Sequence, residues 1–242
     1  MSIKVVLFDL DGTLLPMNQD AFVKDYLGRM AKKLAPHGYE PNQLVKAIYA
    51  GMGAMIGNDG SCTNEEAFWK TFAGILGDHV KEDLPIFDDY YKNEFQEVRH
   101  SCGFLPEAAK TVRAIRDKGY RVVLATNPMF PSIATESRMR WAGLEPEDFE
   151  LYTTYENSTY CKPNLKYYEE IIEKLGVSPK ECLMVGNDVG EDMITEKLGM
   201  KVFLLPADLI NKEGKDISVY PQGDLADLME YMEILGNDKV LR

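Results

Sequence analysis

At 242 residues, with 45% hydrophobic and 27% charged side chains, the chain has an ordinary globular composition and enough length to bury one core plus an insertion. A net charge of −12 and a pI near 4.8 argue against nucleic-acid or membrane-surface binding, both of which need a basic stripe. Cys62, Cys102, Cys161 and Cys182 are too scattered for a C-x-x-C motif and read as reduced, buried thiols, and the amino terminus lacks the features of a signal peptide, so a cytoplasmic location is expected.

The first element is a short apolar strand, Val5-Val6-Leu7-Phe8, of the kind covered on both faces of a parallel sheet. From residue 16 to about 103 the pattern becomes helical, with expected helices at 19–34, 42–55, 64–76 and 84–99 separated by turn signals such as Pro36-His37-Gly38 and Asn58-Asp59-Gly60. Thr63-x-x-Glu66 predicts a capping box at the third of these. The glycine-rich stretch 51–57 lacks the Lys-Ser/Thr ending of a nucleotide loop and reads as a flexible part of this insertion. His37, His79 and His100 have no spacing that suggests metal binding or a triad.

From residue 104 the chain alternates helix and strand. Helices are expected at 106–118, 131–142, 164–175, 191–198 and 224–235, and strands at 120–126, 151–154, 182–185 and 201–205, with a short edge strand at 217–220. Such alternation implies right-handed β-α-β units around a parallel sheet. The expected organisation is a core of residues 1–15 and 104–242 with a helical insertion at 16–103.

Four strand ends carry chemistry-bearing residues. Asp9 and Asp11, followed by Gly12 and Thr13, can divide phosphoryl-transfer work: one carboxylate attacks or binds a cation while the other handles protons. Thr126-Asn127 offers a hydroxyl and free N–H groups for phosphoryl oxygens. Lys162, aimed by Pro163, can neutralise charge on the attacking carboxylate and the transferring group. Asn187-Asp188-Val189-Gly190-Glu191-Asp192 supplies hard oxygen donors suited to magnesium.

In order and spacing, these four segments resemble the four motifs of the haloacid dehalogenase superfamily, in the branch with a helical cap between the first and second motifs. The resemblance spans residues 9 to 192 and implies an α/β fold: a Rossmann-like, doubly wound parallel sheet core with an inserted α-helical cap. It implies a Mg2+-dependent phosphatase acting on a small phosphorylated metabolite through an aspartyl-phosphate. Asp9 would be the nucleophile, Asp11 the general acid and base, Lys162 the charge-neutralising residue, and Thr126 and Asn127 the phosphoryl-binding pair. Magnesium would be held by Asp9, the backbone carbonyl of Asp11 and the fourth motif.

The fourth motif departs from the family pattern. Asn187 stands where an acidic residue is usual, so either Asn187 or Asp188 would be the ligand. The third motif reads Lys162-Pro163-Asn164-Leu165, without a second proline. A phosphomutase of the β-phosphoglucomutase type, or a non-catalytic phosphate-binding protein, would share the same residues. The expected assembly is a monomer or homodimer, with no nucleic-acid or membrane partner.

Overall fold

A computed structural model describes residues 2–237, so the ends of the expected core range, residues 1 and 238–242, lie outside the described residues. Five parallel strands, β1 (Val5–Phe8), β2 (Arg121–Leu124), β3 (Leu151–Tyr152), β4 (Cys182–Gly186) and β5 (Lys201–Leu204), form one sheet in the order β3-β2-β1-β4-β5. The described α-helices are α1 (Gln19–Leu34), α2 (Pro41–Ile56), α3 (Asn64–Leu76), α4 (Leu84–Lys92), α5 (Pro106–Asp117), α6 (Ser132–Trp141), α7 (Leu165–Leu175) and α8 (Leu225–Asn237).

Alternate residues of a strand point to opposite faces of a sheet, and here helices cover both. Val6, Phe8, Val122, Leu124, Leu183 and Val185 pack on one face with α5, α6 and α8 through side chains such as Val112, Met139 and Leu228. Val5, Leu7, Val123 and Met184 pack on the other with Tyr167, Tyr168 and Ile171 of α7. Covering both faces is why the strands read as continuous apolar runs rather than as alternating ones.

Register places the strand ends together. Val5 lies opposite Arg121 and Cys182, and Phe8 opposite Leu124 and Val185, so Asp9, Ala125 and the last residue of β4, Gly186, lie side by side at this edge. The chain runs from β1 outward through β2 to β3, then returns to the other side of β1 for β4 and β5. In such sheets ligands bind beyond the carboxyl ends of the strands, where the order reverses.

Helices α1 to α4 all fall between β1 and α5, and the two segments joining them to the sheet pair with each other. Met17 bridges Cys102, and the Gly103 N–H donates to the Pro16 carbonyl at 2.7 Å. Phe22, Tyr26 and Met30 of α1 belong to the same apolar cluster as Val6 and Phe8. The start of α3 is tied to the loop after β3: the Asn64 N–H donates to the Ser158 carbonyl and the Glu65 N–H to the Tyr155 carbonyl, both at 2.9 Å. The fully buried Asn64 side chain also reaches the Tyr160 carbonyl at 3.3 Å. The predicted capping box at Thr63 and Glu66 is present.

Several expected elements are altered, each for a local reason. The helix expected at 84–99 stops at Lys92. The Asn93 amide donates to the Asp89 carbonyl and carboxylate at 3.1 and 2.8 Å, competing with the helical ladder, and residues 94–101 continue as a tighter 3-10 turn. The helix expected at 191–198 begins only at Met193, also as a 3-10 turn, because the preceding backbone wraps around the Asp188 carboxylate. Residues 217–219 form a 3-10 turn opened by Asp216 instead of an edge strand, while the pairing with β5 falls at Gln222.

The glycine-rich stretch is mostly helix, the end of α2, and not a flexible loop. A Cβ on Gly51 would lie 2.5 Å from the Phe68 ring, so this glycine lets α2 and α3 pack closely. The cysteines are all free, and only Cys161 and Cys182 are buried. All three histidines are exposed.

Candidate active site

A cavity of about 60 Å³ opens at the carboxyl ends of β1, β2 and β4. Every residue singled out from the sequence lines it: Asp9, Asp11, Thr126, Asn127, Lys162, Asn187 and Asp188. Gln19, Glu191, Asp192 and Ile210 complete the wall.

Asp9 follows β1 and keeps the sheet pairing for one more residue, its N–H donating to the Val185 carbonyl at 2.9 Å. Its carboxylate is 8% exposed and held at both oxygens. Oδ1 accepts from Lys162 Nζ at 2.8 Å, and Oδ2 faces the Thr13 hydroxyl at 3.2 Å. The Thr13 hydroxyl also lies 3.0 Å from Asn187 Oδ1, so its single proton is shared between the two acceptors. Gly12 makes this turn possible. Its φ is 85°, and a Cβ there would lie 2.3 Å from Asn187 Nδ2.

Asp11 presents two different oxygens. Oδ2 accepts from Arg138, whereas Oδ1 is buried without a protein partner. Burial raises the pKa of this carboxyl; the Arg138 charge opposes that shift and the Asp9 charge adds to it.

Lys162 reaches the cavity from the loop ahead of α7 and is 2% exposed. Its ammonium bonds Asp9 and, at 2.7 Å, Oδ1 of the fully buried Asp192. Burial works against the charged form, but the Asp192 and Asp9 carboxylates outweigh it and hold the lysine pKa well above its ordinary value. The other Asp192 oxygen accepts from the Asp188 N–H at 3.0 Å, which ties the third motif to the fourth. In the sequence Asp192 stood only among the oxygen donors of the fourth motif. Its bond to Lys162 crosses 30 residues and leaves no local pattern.

The two candidates in the fourth motif differ clearly. Asn187 is 1% exposed and engaged at both ends, with Oδ1 at the Thr13 hydroxyl and Nδ2 donating to the Asp208 carbonyl at 2.6 Å. Asp188 uses Oδ1 to accept from the Gly190 and Glu191 N–H groups at 2.7 and 2.9 Å, while Oδ2 makes no hydrogen bond among the described residues. On the second strand's side, Asn127 donates to Glu191 at 3.2 Å and its own Oδ1 is buried without a partner. Burial raises the Glu191 pKa, Lys162 lowers it, and Asp188 and Asp9 raise it further. The Thr126 carbonyl is fixed by the hydroxyls of Thr153 and Tyr167 at 2.6 and 2.8 Å.

A family profile described as haloacid dehalogenase-like hydrolase matches residues 3–195. The chain belongs to this family. It is 25% identical over 189 residues to pyrophosphatase PpaX of Bacillus cereus, covering 78% of this chain and 76% of that one. It is 24% identical over 257 residues to glyceraldehyde 3-phosphate phosphatase of Methanothermobacter thermautotrophicus, covering 96% and 100%. Among solved structures, a HAD phosphatase from Thermococcus onnurineus superposes with a TM-score of 0.57 at 22% identity, covering 95% of this chain and 98% of that one. That likeness supports the Rossmann-like, parallel-sheet fold. No helix among the described residues is long and apolar enough to cross a membrane.

Proposed function

We propose that this hydrolase is a Mg2+-dependent phosphatase of a small phosphorylated metabolite, working through an aspartyl-phosphate on Asp9. One observation carries the reading. Two carboxylates, two residues apart, share a cavity but are held differently: Asp9 is fixed beside an ammonium, and Asp11 keeps a buried oxygen with no partner. The first arrangement suits a nucleophile and the second a proton donor. Among the relatives, a pyrophosphatase and a glyceraldehyde 3-phosphate phosphatase both act on phosphate compounds, as their names state, which supports the same class of substrate.

The donor set fits magnesium. Five carboxylates line the cavity, those of Asp9, Asp11, Asp188, Glu191 and Asp192, against two cations, Lys162 in the wall and Arg138 on Asp11. A phosphate dianion would be repelled from such a site unless a further cation balanced it. Among the described residues, no three His, Cys, Asp or Glu side chains form a metal cage. Magnesium needs none, because it binds through one or two carboxylates, waters and the substrate phosphate. Asp9, the Asp11 carbonyl and Asp188 would hold it, with Asn187 left as the brace its two internal bonds make it. When bound, the ion would polarise the phosphoryl oxygens and offset their charge.

The chain's own groups supply the remaining steps. An Asp9 oxygen attacks phosphorus, the bond to the leaving oxygen breaks, and that oxygen takes the Asp11 proton. Asp11 then accepts a proton from the water that attacks the aspartyl-phosphate, releasing phosphate and restoring both carboxyls. Lys162 keeps Asp9 oriented and offsets its charge throughout, and the Thr126 hydroxyl and the N–H groups of the Thr126-Asn127 turn receive the phosphoryl oxygens. Helices α1 to α4, read as a cap over residues 16–103, would close over these strand ends and select the leaving group.

Purified protein should release inorganic phosphate from members of a panel of phosphorylated sugars, acids and nucleotides when magnesium is present. Release should stop with EDTA or in the Asp9→Asn variant. Isomer formation without phosphate release would assign a phosphomutase instead. Turnover of no ester, with magnesium and a folded protein, would refute the proposal.

A further inference from the structure

Arg138 is among the largest fully buried side chains, 1% exposed, and the phosphoryl-transfer scheme leaves it without a task. Four contacts surround it. Nη1 donates to Asp11 Oδ2, Nε faces the Ala134 carbonyl and Nη2 the Thr135 hydroxyl, each at 3.4 Å, and the guanidinium carbon lies 4.4 Å from the centroid of the Phe130 ring. The two 3.4 Å contacts are long. The ion pair and the stacked ring therefore do most to fix the group. A hydrophobic side chain of the same volume would avoid the desolvation cost of a buried guanidinium, so packing alone does not account for an arginine here.

The contact has a consequence for Asp11. With one oxygen held by a single N–H of a buried, ring-stacked guanidinium, the two carboxyl oxygens become inequivalent. Oδ2 is engaged, while Oδ1 is buried without a partner in a residue that lines the same cavity as Asp9 and Lys162.

We infer that Arg138 is a positioning residue that clamps Asp11 so that Oδ1 exchanges protons with the leaving oxygen and then with water. The inference rests on the reading of Asp11 as the general acid and base. A guanidinium has donors only, so Arg138 orients the carboxyl and takes no proton from it. As the phosphorus–oxygen bond breaks, the electron pair stays on the leaving oxygen, which takes the proton from Oδ1; attack by water on the aspartyl-phosphate later returns one to it. Phe130, under the guanidinium, also contacts Tyr26 of α1 at 5.4 Å between ring centroids, so the clamp is supported from the helical insertion.

The test compares two esters by kcat/KM, a parameter that excludes the later hydrolysis of the aspartyl-phosphate. The alkoxide of 2-glycerophosphate must be protonated as it leaves, whereas 4-nitrophenolate leaves without help. In Arg138→Met, the rate on 2-glycerophosphate should fall roughly 10- to 100-fold further than that on 4-nitrophenyl phosphate, part of the ~10²–10⁴ that acid–base help supplies. Arg138→Lys, which keeps a cation but loses the planar group stacked on Phe130, should show a smaller split. Phe130→Leu, which keeps the ion pair and removes the stacked face, should show a small split of the same sense and serves if Arg138→Met does not fold.

Equal losses on both esters in the folded variants would mark Arg138 as merely structural and overturn the inference. Asp11→Asn separates the two levels of the argument. A large split there, with none in the Arg138 or Phe130 variants, sinks only the positioning role. No split in Asp11→Asn removes the acid role on which the inference rests.

Discussion

Replacing Lys162 with methionine takes away the ammonium that bonds Asp9 at 2.8 Å and Asp192 at 2.7 Å, leaving two carboxylates that are 8% and 0% exposed. Breaking a buried ion pair by deleting one partner costs about 3–5 kcal/mol. At roughly 2–4 °C per kcal/mol for a chain of this size, the unfolding midpoint should drop by at least about 6 °C. Turnover should fall by ~10²–10³, the scale for one electrostatic contact to a reacting group. A second substitution separates the two effects. In Lys162→Met/Asp192→Asn one stranded charge is gone, and the amide oxygen can still accept the Asp188 N–H, now 3.0 Å from Asp192. Stability should recover by about 1–3 kcal/mol, while activity stays low because Asp9 still lacks its cation. Calorimetry and phosphate release on the three proteins provide the assay. A single variant that unfolds where the parent does, or a double variant no more stable than the single, would refute the ion-pair reasoning.

Other expectations follow from neighbouring contacts. Asp188→Ala should raise the magnesium concentration needed for half-maximal activity more than Asn187→Ala, because the Asn187 amide is already committed to Thr13 and Asp208; the reverse order in a magnesium titration would make Asn187 the ligand. Asn187→Ala should instead show mainly as lost stability, about 1–3 kcal/mol in denaturant unfolding, and a smaller loss would mean those bonds hold little. The buried Asp148 has a lowered pKa because its bonds to Arg113 and the Glu145 N–H, with the charges of Arg113 and Arg116, outweigh the upward push of burial. A lowered native pKa stabilises the fold above the ordinary carboxylate range near 3.9 and loses that contribution as pH falls through the native value. The stability gap between the parent and Arg113→Ala should therefore be full at pH 6 and shrink below about pH 4; a gap independent of pH would mean that packing, not the ion pair, sets it.

The features legible in the sequence are those that sit at strand ends. Apolar strands covered on both faces are short and unmistakable in composition, and the residue after each falls at the ligand-binding edge by geometry alone. Asp9, Thr126 and Asp188 could thus be gathered into one site, whereas Lys162 lies well past β3 on the loop ahead of α7 and was reached through Pro163 and the resemblance. What stayed hidden depends on contacts between distant segments. Arg138 sits on a buried stripe with Ala134 and Trp141, positions spaced as a helix core face, and an arginine on such a stripe is a signal that periodicity weighed for apolar residues alone passes over. Asp192 needed Lys162 for its meaning, and Asn187 needed the Asp208 carbonyl. Local competition was the other source of error: the Asn93 amide ended α4 early, and the Asp188 carboxylate delayed the turn that begins at Met193.

The central claim is covalent attachment of phosphate to Asp9. Mixing enzyme with a turned-over ester, quenching in acid within the first turnovers and reducing with borohydride would convert an acyl phosphate at one aspartate to homoserine, which peptide mass spectrometry locates. The account predicts the modification at position 9 in the parent and in Asp11→Asn, where slowed hydrolysis should increase it, and none in Asp9→Asn. Modification at another residue, or its absence from Asp11→Asn while that variant still forms product, would contradict it.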